Sequence, residues 1–169
     1  MSKNILILGS SGQIGSYLVN YLKKKKYHVK TFDILNGKKF DLRRKNFLLD
    51  KLVKNSNYIF FLAFDVGGSR YLNKYQNTFQ FINNNLKIMT NTFEVLNKYK
   101  RKFLFVSSQM SNMLYSNYGI LKLIGEKVSK TLNGNYIKLW NVYGIEQDLK
   151  KSHVITDFIR MATKKKKSQ

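Results

Sequence analysis

Apolar positions along the chain fall into short runs that alternate with longer periodic stretches. Residues 4–8 (Asn-Ile-Leu-Ile-Leu) form a continuous apolar run that stops at Gly9, and Gln13 to Lys25 places Ile14, Leu18, Tyr21 and Leu22 at helical spacing. This predicts strand, turn, helix. The alternation continues with a second strand at His28–Asp33, a helical segment at Phe47–Val53, an apolar strand at Tyr58–Phe64 and a long helix from about Tyr75 to Tyr99. Phe103–Val106 reads as another buried strand, Tyr118–Leu132 as a helix closed by Gly134, Tyr136–Val142 as a strand, and Val154–Met161 as a last helix. Strands that are apolar throughout, rather than at alternate positions, predict a parallel sheet covered on both faces, so the expected class is α/β, a doubly wound three-layer α/β/α sandwich. Any strand near Lys39–Leu42 is expected to be small. No internal repeat and no Pro-rich or Gly/Ser-rich linker interrupts the pattern, which predicts one domain over 1–161 and a basic tail over 162–169.

Composition narrows the chemistry. The 169 residues contain no Cys and only two His, His28 and His153, which excludes disulfides, thiolate metal sites and cysteine nucleophiles. No apolar run approaches the roughly 18 residues that span a bilayer, so the expected compartment is the cytoplasm, without a membrane partner. Lys and Arg total 31 against 9 Asp and Glu, a net charge of +22. Scarce Ala, absent Pro and abundant Lys, Asn, Ile, Phe and Tyr are the signature of A- and T-rich codons, and the runs Lys23–Lys26 and Lys164–Lys167 lie at an expected helix end and in the tail. Nucleic acid is therefore not the expected partner, although weak, salt-sensitive binding of RNA or DNA stays open as an alternative.

The turn after the first strand reads Gly9-Ser10-Ser11-Gly12-Gln13-Ile14-Gly15 and leads directly into a helix. Gly9 allows the tight turn, Gly12 lets a diphosphate approach the backbone, and Gly15 lets the helix pack on the sheet. The free amides of the helix start, flanked by Ser11, Gln13 and Ile14, then bind the anion. Asp33 ends the second strand 18 residues after Gly15, where a carboxylate accepts hydrogen bonds from an adenosine ribose and repels a 2′-phosphate. The expected cofactor is NAD in a Rossmann-like domain. NADP stays open because Lys38, Lys39, Arg43 and Arg44 lie nearby.

Tyr118 and Lys122 are four residues apart, one turn on the same helix face. A neighbouring ammonium favours the phenolate, so such a pair can move a proton. Ser108 closes the preceding strand at the carboxyl edge of the sheet, where its hydroxyl can meet a substrate oxygen.

Together these residues resemble the NAD-dependent epimerase/dehydratase family of the extended short-chain dehydrogenase/reductase superfamily, from Ile5 to about Met161. The resemblance implies that Asp41-Leu42 lies beside the adenine, that Leu62 and Ala63 form a cofactor wall, and that Asn85 is the structural Asn of the fourth helix, within the cofactor site. It also implies roles for Val106-Ser107-Ser108, for Tyr118-Gly119-Ile120-Leu121-Lys122 with Gly125-Glu126, and for Lys138-Leu139-Trp140-Asn141-Val142-Tyr143-Gly144. In that family Tyr is the acid/base, Lys orients the nicotinamide ribose and lowers the Tyr pKa, and Ser assists at the substrate oxygen. The implied substrate is a nucleotide sugar, and the implied assembly is a homodimer through helices four and five.

The chain departs from that pattern in four places. Ile145 stands for the family's Pro, and Lys138 for its Arg. Ser108 and Tyr118 are only ten residues apart, a shorter loop than usual. One helix follows Gly144, so most of the family's C-terminal substrate lobe is expected to be missing. The expectation is a nucleotide-sugar epimerase or dehydratase; the alternative is a noncatalytic NAD-binding module that pairs with another subunit.

Overall fold

The computed structural model describes residues 3–144 and 153–165. Five parallel strands build one sheet: β1 (Asn4–Leu8), β2 (His28–Phe32), β3 (Tyr58–Phe61), β4 (Lys102–Ser108) and β5 (Asn135–Leu139), in the order β2-β1-β3-β4-β5. The helices are α1 (Gln13–Lys24), α2 (Phe47–Lys54), α3 (Ser69–Tyr75), α4 (Phe79–Tyr99), α5 (Asn117–Thr131) and α6 (Val154–Lys165). Strand order reverses direction between β1 and β3, so the carboxyl ends of those strands open the crevice in which ligands of doubly wound sheets bind.

Burial explains which runs became which strands. β1 and β4 lie inside the sheet and bury Leu6, Ile7, Leu8, Phe103 and Phe105 almost completely, as two-sided covering demands. The edge strands β2 and β5 alternate exposed and half-buried positions instead, and Ile137 stays 41% exposed. One face packs against α2, α4 and α5 around Phe93, whose ring lies 5.3 Å from Phe61 and 5.8 Å from Phe105. The other face is smaller: Val19 and Leu22 of α1 cover Ile5 and Ile7, while Tyr21 points outward.

Three expectations are corrected. Near Lys39–Leu42, where any strand was expected to be small, none forms: Lys38–Phe40 is a 3-10 turn whose Phe40 amide donates to the Gly37 carbonyl, and Asp41 clamps the backbone and side chain of Arg43. The helix expected from about Tyr75 to Tyr99 starts at Phe79, where Thr78 caps α4 through its hydroxyl, and a separate short helix that was not expected, α3, ends at Tyr75 before it. The strand expected to reach Phe64 stops at Phe61; the Leu62 amide still donates to the Leu8 carbonyl at 3.0 Å, and the chain leaves the sheet after it. α6 runs through Lys165, past the expected boundary at 161, whereas Ile145 and the last four residues lie outside the described residues.

Candidate dinucleotide and active site

The glycine turn is built by contacts that forbid side chains. Gly9 has φ +83°, its amide donates to the Phe32 carbonyl at 2.8 Å, and a Cβ there would lie 2.6 Å from the Ala63 nitrogen. A Cβ on Gly15 would lie 2.1 Å from the Gly9 carbonyl oxygen, so only glycine lets α1 start this close to β1. Gly12 differs. A Cβ there would meet only the Gly9 oxygen, at 3.5 Å, so nothing inside the fold requires glycine; the open side of the turn is where a ligand would need the space.

Gly12 is also the N-cap of α1, no side chain caps the helix, and its first turn holds no acid. The first amides, at Gln13, Ile14 and Gly15, therefore have no partner within the helix and meet the positive end of its dipole. Gln13 Nε2 is a buried donor without an acceptor in the same turn. An uncapped helix start, an open glycine and an orphaned amide donor form a cradle whose chemistry fits the diphosphate of a dinucleotide.

Asp33 follows the end of β2 and is engaged with the glycine turn. Its Oδ2 accepts from the Ser11 amide at 2.8 Å and its Oδ1 from the Leu35 amide at 3.0 Å, which ties the glycine turn to the end of β2. Each oxygen keeps a lone pair for a hydroxyl donor. Beside it Ser10, Ser11, Ser16, Asn20 and Asn36 line a shallow polar hollow of about 340 Å³. Asp41 is buried and bound by Arg43, whose Nη2 lies 2.8 Å away, and that hydrogen bond holds its carboxyl below the ordinary range. Leu42 is buried, and its carbonyl accepts from Asn91.

Leu62 and Ala63 stand across from the turn, as the Gly9 contact requires. Asn85 is fully buried and acts on the backbone: Oδ1 accepts from the Asp65 amide at 2.7 Å, and Nδ2 donates to the carbonyls of Asp65 and Phe81. It braces the segment that carries the wall. Asp65 itself, which the sequence did not single out, accepts from Tyr71 Oη at 2.6 Å and Asn84 Nδ2 at 2.9 Å.

Ser108, Tyr118 and Lys122 come together at the carboxyl end of β4. The short loop between Ser108 and Tyr118 closes because Ser108 caps a 3-10 turn at Gln109–Asn112, and because Gly119 lets α5 press against it; a Cβ there would lie 2.2 Å from the Met110 oxygen. Ser116 caps α5 and donates to Gln76 Oε1 at 2.7 Å, so the corner between α3 and α4 anchors the helix start that carries Tyr118. No motif marks Gln76; its role depends on the helix break.

The electrostatics differ from the expected pattern. Burial pushes the Tyr118 phenol up, against a smaller opposing effect from its hydrogen bond with Ser108. Lys122 is not what lowers it. The Lys122 amine donates to the Val106 carbonyl at 2.8 Å and sits 3.7 Å from the centre of the Phe64 ring, with Phe105 and Tyr118 also around it. Desolvation in that pocket lowers its pKa to about 7, opposed by the charge of Glu126. Phe64, too, was missed by the sequence reading: it contacts both members of the pair, with its ring 5.8 Å from that of Tyr118.

Comparison with known proteins follows the same outline. The profile of the NAD dependent epimerase/dehydratase family matches residues 5–169. No curated protein matches the chain. Among solved structures, an epimerase from Methanothermobacter thermautotrophicus superposes with a TM-score of 0.79 at 19% identity, covering 95% of this chain and 58% of that one. A GDP-D-glycero-L-gluco-heptose synthase from Campylobacter jejuni, solved in the presence of NADPH, gives 0.75 at 23% identity over 94% of this chain and 54% of that one. A dTDP-4-dehydrorhamnose reductase from Bacillus anthracis, in complex with NADP, gives 0.75 at 18% identity over 97% and 61%. The chain thus spans a little over half the length of these neighbours. Among the described residues no helix is long and apolar enough to cross a membrane.

Proposed function

The chain belongs to the NAD dependent epimerase/dehydratase family, and from that premise we propose that it binds NAD across the carboxyl edge of its sheet and acts on a nucleotide sugar. The observation that carries the reading is the uncapped start of α1 under an open Gly12, facing the Leu62–Ala63 wall. In this reading the amides of Gln13 and Ile14 hold the diphosphate, Asp33 accepts from the adenosine ribose, and Asp41-Leu42 flanks the adenine. Asp33 favours NAD over NADP, because a second negative charge beside its carboxylate is repelled.

Hydride exchange with a sugar carbon is the chemistry a nicotinamide cofactor supplies when bound. The chain's own residues handle the proton. Burial raises the Tyr118 phenol, so a nearby charge is needed for its phenolate to take the proton of a sugar hydroxyl and later give it back. Ser108 stands beside that oxygen: its Oγ accepts from the Met110 amide at 3.2 Å and its hydroxyl is hydrogen-bonded with Tyr118, a bond that substrate would share or replace. Lys122 must hold its charge to favour the phenolate and must reach a ribose hydroxyl from its present bond to Val106. A homodimer through α4 and α5, where Leu86 and Ile124 are exposed, belongs to the same reading.

The test is turnover of a panel of UDP-, GDP- and dTDP-sugars by the wild type and by Tyr118→Phe, alongside calorimetry with NAD. Turnover that disappears in Tyr118→Phe while NAD still binds supports the enzyme. A second reading, a binding module completed by another subunit, is favoured by the 76% exposure of Trp140 and 70% of Tyr143 beside the site. It predicts NAD binding without turnover by the chain alone.

A further inference from the structure

Tyr118, Lys122 and Glu126 follow one another at four-residue steps, so they share one face of α5, and all three are buried. Nothing in the mechanism above uses Glu126. A carboxylate that is only 4% exposed is costly unless charge or hydrogen bonds repay its desolvation. Glu126 has both. Its Oε1 accepts from Ser107 Oγ at 2.5 Å, and its Oε2 lies 3.4 Å from the Lys138 amine of β5, which also donates to Asn112 Oδ1 at 2.8 Å.

The surroundings of Lys122 make this carboxylate matter. From the segment after β3 the amine meets the Phe64 ring, from β4 the Phe105 ring and the Val106 carbonyl, and from α5 the Tyr118 ring. None of these is charged. Glu126 is the charged group that acts on the amine, in the direction opposite to desolvation. Its hydrogen bond with Ser107 also fixes the residue next to Ser108, so one carboxylate touches the strand end that carries the serine and biases the lysine of the pair.

We propose that Glu126 is a positioning residue whose carboxylate favours the charged form of the Lys122 amine inside its dry aromatic pocket while tying the Ser107–Ser108 strand end to α5. The inference rests on the reading above for its catalytic meaning, but its physical content holds for the cofactor-free chain and is tested there. Lysine labelled with ¹³C at Cε is followed by NMR against pH, and the Lys122 signal is assigned by its disappearance in Lys122→Met. Glu126→Gln keeps the shape and an acceptor for Ser107 but removes the charge. It is expected to move the Lys122 midpoint down by about one pH unit, so that the protonated fraction at pH 7 falls roughly fivefold. Lys138→Met, which leaves Glu126 facing Lys122 alone, is expected to move the midpoint up. An unchanged midpoint in Glu126→Gln overturns the proposal. Should that variant not fold, an unchanged midpoint in Lys138→Met overturns it instead. Calorimetry with NAD on the wild type keeps the two claims apart: absent binding refutes the cofactor reading and leaves the Lys122 midpoints standing.

Discussion

Replacing Lys122 by Met should make the protein more stable at neutral pH and lose that advantage as the solution becomes alkaline. The wild-type amine falls from 10.5 to about 7 on burial, a difference of about 3.5 units, or about 5 kcal/mol against folding when the unfolded chain is fully protonated. Met fills a similar volume without a charge but leaves the Val106 carbonyl without its lysine donor, a loss of about 1–3 kcal/mol. At pH 7, where the folded amine is already half deprotonated, the net gain is about 1–3 kcal/mol. Between pH 7 and 10.5 the unfolded lysine still binds its proton after the folded one has released it, so wild-type stability climbs with pH across that window. The variant has no such climb. Urea unfolding of both proteins at several pH values from 7 to 10 reads the difference directly. It should shrink by about 1.4 kcal/mol per unit once past the folded midpoint. A difference that does not change with pH, or a variant already weaker at pH 7, would refute the burial argument.

Other outcomes follow from single contacts. Gly15→Ala should lower Tm and abolish NAD binding together, because its Cβ has no room beneath the Gly9 carbonyl; thermal melts and calorimetry check this. Phe93→Ala, which removes the ring between Phe61 and Phe105, should cost about 3–5 kcal/mol in chemical unfolding. Asp41→Asn should destabilise at pH 7, and the difference should vanish once the solution is acidic enough to protonate the folded carboxyl. The depressed Asp41 carboxyl contributes stability above its ordinary value and loses it as pH falls through the folded one, which acid titration of both proteins would show.

How much of this was legible depended on whether the signal was local. The buried strands and the glycine turn were readable because two-sided burial writes a continuous apolar run and because a turn with no room for Cβ atoms demands glycine at Gly9 and Gly15. The short helix Ser69–Tyr75 was missed because seven polar-rich residues carry little helical periodicity, whereas the start of α4 at Phe79 was readable from Thr78 as its cap. Phe40 and Leu42 alternate as a strand would, but the ring closed between Asp41 and Arg43 is a side-chain event that periodicity does not encode. Tyr118, Lys122 and Ser108 were singled out by order and spacing, and the fold brings them together at the end of β4. The depressed Lys122 amine and the parts played by Phe64, Gln76 and Glu126 were not, since each depends on what distant segments bring to one pocket.

The dinucleotide cradle is tested most directly by calorimetric titration of NAD into the wild type and Gly12→Val. Gly12 has φ −68° and no close neighbour on the protein side, so valine is accommodated with little change in Tm, yet it fills the space left for the diphosphate. The account predicts binding by the wild type and none by the folded variant. Equal binding by both, or no binding by the wild type, would contradict it.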